Sequence, residues 1–247
     1  MELNATKKGK EKAEKIRCLD REQMKTIAAA SMVCDHICMI LLPGNPTAQV
    51  VRDTVGRFSF LIFLALFIDG FFYIKKENYG RHIRDLALCV LLSFPGYSYA
   101  NTGTWCSVVG ISSVMTEFLI TFLLLVFLQS IRERTAADVI LAFGASLLAC
   151  VIDLALGVSY TVAGPIAAFA VWCLGERRSY AAECVAVTLS VLAATLYPWE
   201  LFGAIPLVLY SGKKPKGKRK KTEKYFYYVF YPAHLALLGF IKAAAGI

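Results

Sequence analysis

Run after run of apolar residues, separated by short basic or Pro/Gly-rich turns, leaves this chain few folds other than a set of helices in a bilayer. The first run, Met24 to Leu42 (MKTIAAASMVCDHICMILL), has the length of about 20 mostly apolar residues that a helix needs to cross the hydrocarbon core. Asp35 and His36 stand near its middle. An ionisable side chain at that depth costs at least about 2.5 kcal/mol, so it faces other helices or a wet cavity and marks a functional site. The adjacent pair is therefore the first candidate.

Composition agrees. Of 247 residues, 57% are hydrophobic and 18% charged, the balance of a membrane helix bundle and not of a soluble globular chain. The net charge of +9 raises the question of nucleic acid. The basic residues, however, sit at the ends of apolar runs and in one loop, with no stripe interleaved with exposed aromatics, so nucleic acid is not expected as a partner. The first 25 residues are polar and lysine-rich, unlike a signal peptide, and are expected to be retained. Of eight cysteines, Cys34, Cys38, Cys89, Cys150, Cys173 and Cys184 fall inside apolar runs, and no CxxC occurs. They read as small, polarizable packing residues. Cys34 and Cys38 bracket Asp35-His36 one helical turn apart, a spacing compatible with metal ligation, but no metal is expected.

Taken in order, residues 1–23 form a basic cytoplasmic tail and residues 24–247 a single transmembrane domain. Pro43, Gly44, Asn45 and Pro46 break the first helix, and the loop to Val55 carries Arg52 and Asp53. A second span runs from Phe58 to Ile74. The third runs from about Ile83 to Phe94 or somewhat beyond, and Pro95, Gly96 and the polar run YSYANTGTW are expected as an outer loop. A fourth covers Val108 to Leu128 and a fifth Val139 to Leu156, joined by a tight turn at Gly157 to a sixth, Tyr160 to Leu174. The seventh covers Cys184 to Tyr197. The eighth, Trp199 to Tyr210, is short enough to be re-entrant, and the ninth runs from Tyr225 to Ile247. The expected fold is all-α, a polytopic transmembrane bundle of about nine spans with a cytoplasmic N-terminus. That arrangement puts all four basic clusters, Lys75–Arg84, Arg132–Arg134, Arg177–Arg178 and Lys213–Lys224, on the cytoplasmic side, as the positive-inside rule asks.

A bundle that only had to pack would place Gly, Ala, Ser and Thr between its helices. This chain also places Asp35, His36, Arg57, Asp69, Arg81, Arg84, Thr116, Glu117, Asp153, Glu200 and His234 inside or at the edge of its spans. Each alone reads equally well as a structural partner to another charge; the set points to chemistry. Imidazole changes charge near neutral pH and serves as a general base. Consecutive helical residues point about 100° apart, so Asp35 does not orient its own neighbour's ring, and Arg57 and Asp69 are the available partners. In KYFYYVFYPAHLALL the tyrosines of Tyr225 to Tyr228 fit an interfacial aromatic belt. Pro232, two residues before His234, instead frees a backbone carbonyl and creates a polar niche beside a histidine.

An ordered set of motifs resembles the TraX family: Asp35-His36 in a first apolar helix, Gly56-Arg57-Phe58 with Phe60 and Phe63, Asp69-Gly70-Phe71, Tyr79 with Arg84, Leu209-Tyr210-Ser211-Gly212-Lys213, and Tyr225-Phe226-Tyr227 with Phe230-Tyr231-Pro232-x-His234. The similarity spans residues 24 to 240. It departs from the family pattern at Ser112-Ser113, at Ser159-Tyr160-Thr161 and at Ser211. The resemblance implies an acyltransferase of the bacterial inner membrane, of which the namesake acetylates a conjugative pilin at its N-terminus. It also implies kinship with integral-membrane acyltransferases that use acyl-CoA, in which an Arg-x-x-Arg and a first-helix histidine recur. Arg81-His82-Ile83-Arg84 and His36 match those. On this reading acetyl-CoA, or another acyl-CoA, is the donor and a peptide or other amine or hydroxyl compound the acceptor. His36 deprotonates the acceptor, Asp35 or Asp69 holds a proton or a cation, Arg57 and His234 line the site, and Arg81 and Arg84 bind CoA phosphates. A proton-coupled transporter or a structural subunit of a membrane complex are the rival readings.

Overall fold

Asp20 starts the first helix. Its carboxylate accepts from the backbone N–H of Glu22 (2.9 Å) and Gln23 (2.8 Å), and the Gln23 amide oxygen accepts from the N–H of Asp20 (2.9 Å), a reciprocal capping box. The computed structural model describes residues 18–131, 133–211 and 221–246, and among them ten α-helices and no strand. Helix α1, Arg21–Leu41, thus opens three residues before the expected span and takes up Arg21, which the sequence reading left in the tail. Residues 1–17 of that tail, Arg132, and residues 212–220 of the expected basic loop lie outside the described residues.

The second helix corrects the sequence reading. Pro46 does not merely end α1. It sits at the first position of a new helix, where its missing N–H costs nothing, and Asn45 caps the N–H groups of Thr47 (2.9 Å) and Ala48 (3.1 Å). Helix α2, Pro46–Val51, passes through a π turn, Arg52–Gly56, into α3, Phe58–Phe71. What was expected as a loop to Val55 is therefore helical, and the run from Pro46 to Phe71 is 26 residues long.

Helix α4, Tyr79–Thr102, likewise continues through Pro95, where the sequence implied an outer loop. Packing explains it. A Cβ on Gly96 would lie 2.9 Å from the backbone N of Ala236 and 3.0 Å from the carbonyl carbon of Leu235, so α4 lies directly against the last helix over this turn. Neighbouring helices re-satisfy the backbone that a proline frees. Gly103, at φ +72°, closes α4 in the left-handed conformation.

The fourth expected span is split. Val108–Ser112 is a 3₁₀ turn, Ser113 is extended, and α5 begins at Val114 and runs to Ser130. Helix α6, Ala136–Leu156, ends at Gly157, at φ +61°, as the tight turn there required. Helices α7, Ala163–Leu174, and α8, Tyr180–Thr195, follow. The short eighth segment forms a 3₁₀ turn, Pro198–Gly203, and α9, Ala204–Leu209. Helix α10, Lys221–Ala245, contains Pro232.

Helix α3 is the axis of the bundle. Phe60, Leu61, Ile62, Leu64, Ala65, Leu66, Ile68 and Phe71 are all buried, and a helix that is apolar on every side belongs inside. The Phe60 ring stacks on Tyr160 at 3.7 Å between centroids, tying α3 to the turn before α7. Helix α6 is the opposite case: Ile140 is 72% exposed, Leu148 61% and Leu154 60%, an apolar surface suited to lipid. Four stretches, Arg21–Leu41, Pro46–Phe71, Ala136–Leu156 and Phe226–Ala245, are long and apolar enough to cross a membrane by length and composition. Val114–Ser130, Tyr180–Thr195 and Pro198–Leu209 are shorter apolar helices. The chain is a helical membrane protein.

Candidate functional site

Arg21, Lys25, Met32, His36 and Met39 recur on α1 at steps of four, seven, four and three, which puts them on one helical face. That face borders a cavity of about 520 Å³. From α3, Ser59, Phe63, Phe67 and Gly70 line it at the same period. Its walls between the two ends are aromatic and apolar, with Phe118 and Phe122 of α5 and Tyr228 and Tyr231 of α10. The ends differ from the walls. At the start of α1 stand Arg21 and Lys25, with His82 of α4; toward its other end stand Asp35, His36, Arg52 and Arg57. From Lys25 to His36 is about 16 Å along the helix axis, at ~1.5 Å per residue.

The two histidines meet. Nδ1 of His36 lies 2.7 Å from Nε2 of His234, and the two rings lie end to end, with centroids 4.9 Å apart and planes 21° from parallel. On its other side, Nδ1 of His234 lies 2.9 Å from the carbonyl oxygen of Phe230. Tyr231 stands edge-on to both rings, at 6.3 Å from His36 and 5.5 Å from His234. Pro232 plays the part expected of it one turn earlier: the Tyr228 carbonyl, which would bond an N–H at position 232, instead accepts from the Cys89 thiol at 3.5 Å.

Asp35 turns away from its neighbour, as the 100° step requires. Its Oδ1 lies 3.4 Å from Nε of Arg52. The π turn makes this meeting possible. Its i to i+5 pattern brings residues five apart toward one face, so both Arg52 and Arg57 reach the cavity, whereas an α-helix would set them about 140° apart. Arg57 spreads its guanidinium over Tyr197 at 5.0 Å and Tyr160 at 5.7 Å.

Asp69 is elsewhere, and this corrects its expected partnership with the Asp35-His36 pair. Nearly three turns of α3 beyond Ser59, it accepts from Nη1 of Arg21 at 2.7 Å, while Nη2 of Arg21 donates to the Leu66 carbonyl at 2.6 Å. It therefore belongs to the Arg21 mouth. Arg81 and Arg84 are exposed on the first turns of α4, outside the cavity wall but in the same turns as His82; Arg84 pairs with Asp85 at 2.9 Å. Glu117 is fully buried off the cavity and accepts from the N–H of Gly164 at 3.0 Å. Glu200 accepts from the Thr195 hydroxyl at 3.1 Å. Among the described residues no three His, Cys, Asp or Glu side chains gather as a metal site.

Sequence reasoning missed Arg21, Lys25 and Arg52. The signal for the first two was the helical spacing to His36, hidden by placing Arg21 in the tail. For Arg52 no local signal existed, because its reach depends on a π turn inside a segment rich in loop-forming residues.

A curated relative, the probable fimbrial assembly protein FimC, serogroup H1, of Dichelobacter nodosus, is 25% identical over 87% of this chain and 93% of its own length. No solved structure matches the chain. The family model described as TraX protein matches residues 20–242, from α1 to the last turn of α10, with the cavity and every residue that borders it. The chain belongs to the TraX family.

Proposed function

We propose that the chain is a multi-pass acyltransferase of the bacterial inner membrane that moves an acetyl or similar acyl group from acyl-CoA to an amine or hydroxyl acceptor, such as a pilin-like peptide N-terminus. The observation that carries this is a single cavity joining a cationic mouth, Arg21 and Lys25, to a buried histidine pair. With nine crossings and the N-terminus in the cytoplasm, the mouth faces the compartment that holds CoA. Arg21 and Lys25 then meet the donor's phosphates, aided by the exposed Arg81 and Arg84 beside them. The aromatic walls accept the slender arm and its thioester, which reaches His36. His36 takes the N–H or O–H proton of the acceptor as that atom attacks the thioester carbonyl. The C–S bond breaks, and the thiolate leaves as free thiol with that proton. A relative named for fimbrial assembly supports an acceptor of the pilin kind.

The test is release of free CoA thiol from acetyl-CoA by purified protein in nanodiscs, for wild type and His36→Ala. Turnover in wild type, falling by roughly 10²–10⁴-fold in the variant, is expected. Absence of turnover with any short acyl-CoA, together with no shift of the melting midpoint by CoA, would reject this reading in favour of a carrier.

A further inference from the structure

With both rings neutral, the hydrogen bonds of the two histidines admit only one arrangement of protons. A carbonyl oxygen can only accept, so the contact between His234 Nδ1 and the Phe230 carbonyl puts the proton on Nδ1 of His234. In a neutral ring the other nitrogen then carries a lone pair. Nε2 of His234 must therefore accept, and Nδ1 of His36, 2.7 Å away, must donate. That places the lone pair of His36 on Nε2. The reverse arrangement would set the lone pair of His234 Nδ1 against that of the Phe230 oxygen at 2.9 Å, with no hydrogen between them.

We infer that His234 is a positioning residue that fixes His36 as the Nδ1–H tautomer, so that Nε2 of His36 is the atom that takes the acceptor's proton. This rests on the acyltransferase reading for its catalytic meaning, though not for the tautomer itself. The chain of bonds runs Phe230 carbonyl, His234, His36, and each link orients the next. When Nε2 of His36 gains a proton, the ring becomes a cation whose Nδ1–H already points at a neutral acceptor. His234 thus supports the charge in a place from which water is largely excluded, since both rings are buried. Protonation ends when that proton passes to the departing thiolate, returning both rings to their starting state. Tyr231, edge-on to both rings, holds them in register. Pro232 lies between Phe230 and His234 in the same turn of α10 and offers no N–H to the Tyr228 carbonyl.

The experiment is nitrogen NMR of protein labelled with ¹⁵N-histidine in lipid bilayers. The chain has three histidines, and His36→Ala and His234→Ala spectra assign the lines. Expected are Nδ1–H tautomers for both His36 and His234, with scalar coupling across the bond between His36 Nδ1 and His234 Nε2. A His36 ring protonated at Nε2, or no coupling, would overturn the inference. The paired activity measurement compares His234→Gln, whose amide oxygen can still accept, with His234→Leu, which cannot. The Leu variant is expected to lose turnover by roughly 10²-fold with little change in KM for acetyl-CoA, and the Gln variant to recover much of it. Equal loss in both, with the wild-type tautomer as expected, would overturn the positioning role. The expected tautomer with no turnover in wild type would reject the acyltransferase reading and leave the ring assignment standing.

Discussion

Gly56 has no room for a side chain. A Cβ there would stand 2.7 Å from Oδ1 of Asp35 and 3.1 Å from its Cα, so the π turn presses on the backbone of α1. Gly56→Ala is expected to push the two apart and destabilise the fold by about 1–3 kcal/mol, measured as a lower melting midpoint. It also draws Arg52 away from Asp35. Asp69→Ala acts at the other end: the Arg21 guanidinium, with only 18% of its side chain exposed, loses its carboxylate, at an expected loss of about 1–3 kcal/mol. Asp69→Asn, which still accepts, should lose less. At this scale the sequence was legible where a residue type was conspicuous. Asp35, His36, Arg57 and His234 stand out because ionisable groups in apolar runs are rare. Their partners were not legible. His36 and His234 are 198 residues apart, and nothing in spacing joins them; Arg52 sat in what read as a loop.

The elements were legible as apolar runs and misread where proline was taken only as a breaker. Pro46 begins a helix and Pro95 lies within one. Both outcomes follow from what surrounds the proline, a cap in one case and an adjoining helix in the other, which a local reading does not contain. Gly96→Val distinguishes the two accounts. In an outer loop the change would be harmless. Against Leu235 and Ala236 it forces α4 from α10, and because α10 carries His234 immediately before them, both the melting midpoint and CoA release should fall. Glycines in left-handed turns were easier to read: Gly157 ends α6 at the expected place because that conformation suits glycine and few other residues.

For the whole molecule, orientation can be read from cysteines already in the chain. Cys18 and Cys106 are both exposed, one just before α1 and the other in the turn after α4. In the nine-crossing arrangement, single-cysteine variants of intact cells should react with an impermeant maleimide at Cys106, and at Cys18 only after the membrane is opened. The reverse pattern would invert the topology and put the Arg21 mouth on the side without CoA. The cavity itself was not legible in the sequence, since it exists only where five helices meet. One last feature bears on handling the protein. Leu19 donates to the Leu209 carbonyl at 3.0 Å and accepts from Ser211 at 2.8 Å, a single stitch between the start of the described chain and the end of α9. Among the described residues that stitch is the first that a load attached upstream reaches, and the next side chains to feel the tension are Asp20, which caps α1, and Arg21. A bulky fusion is therefore better carried after Ala245, where it tugs on none of these.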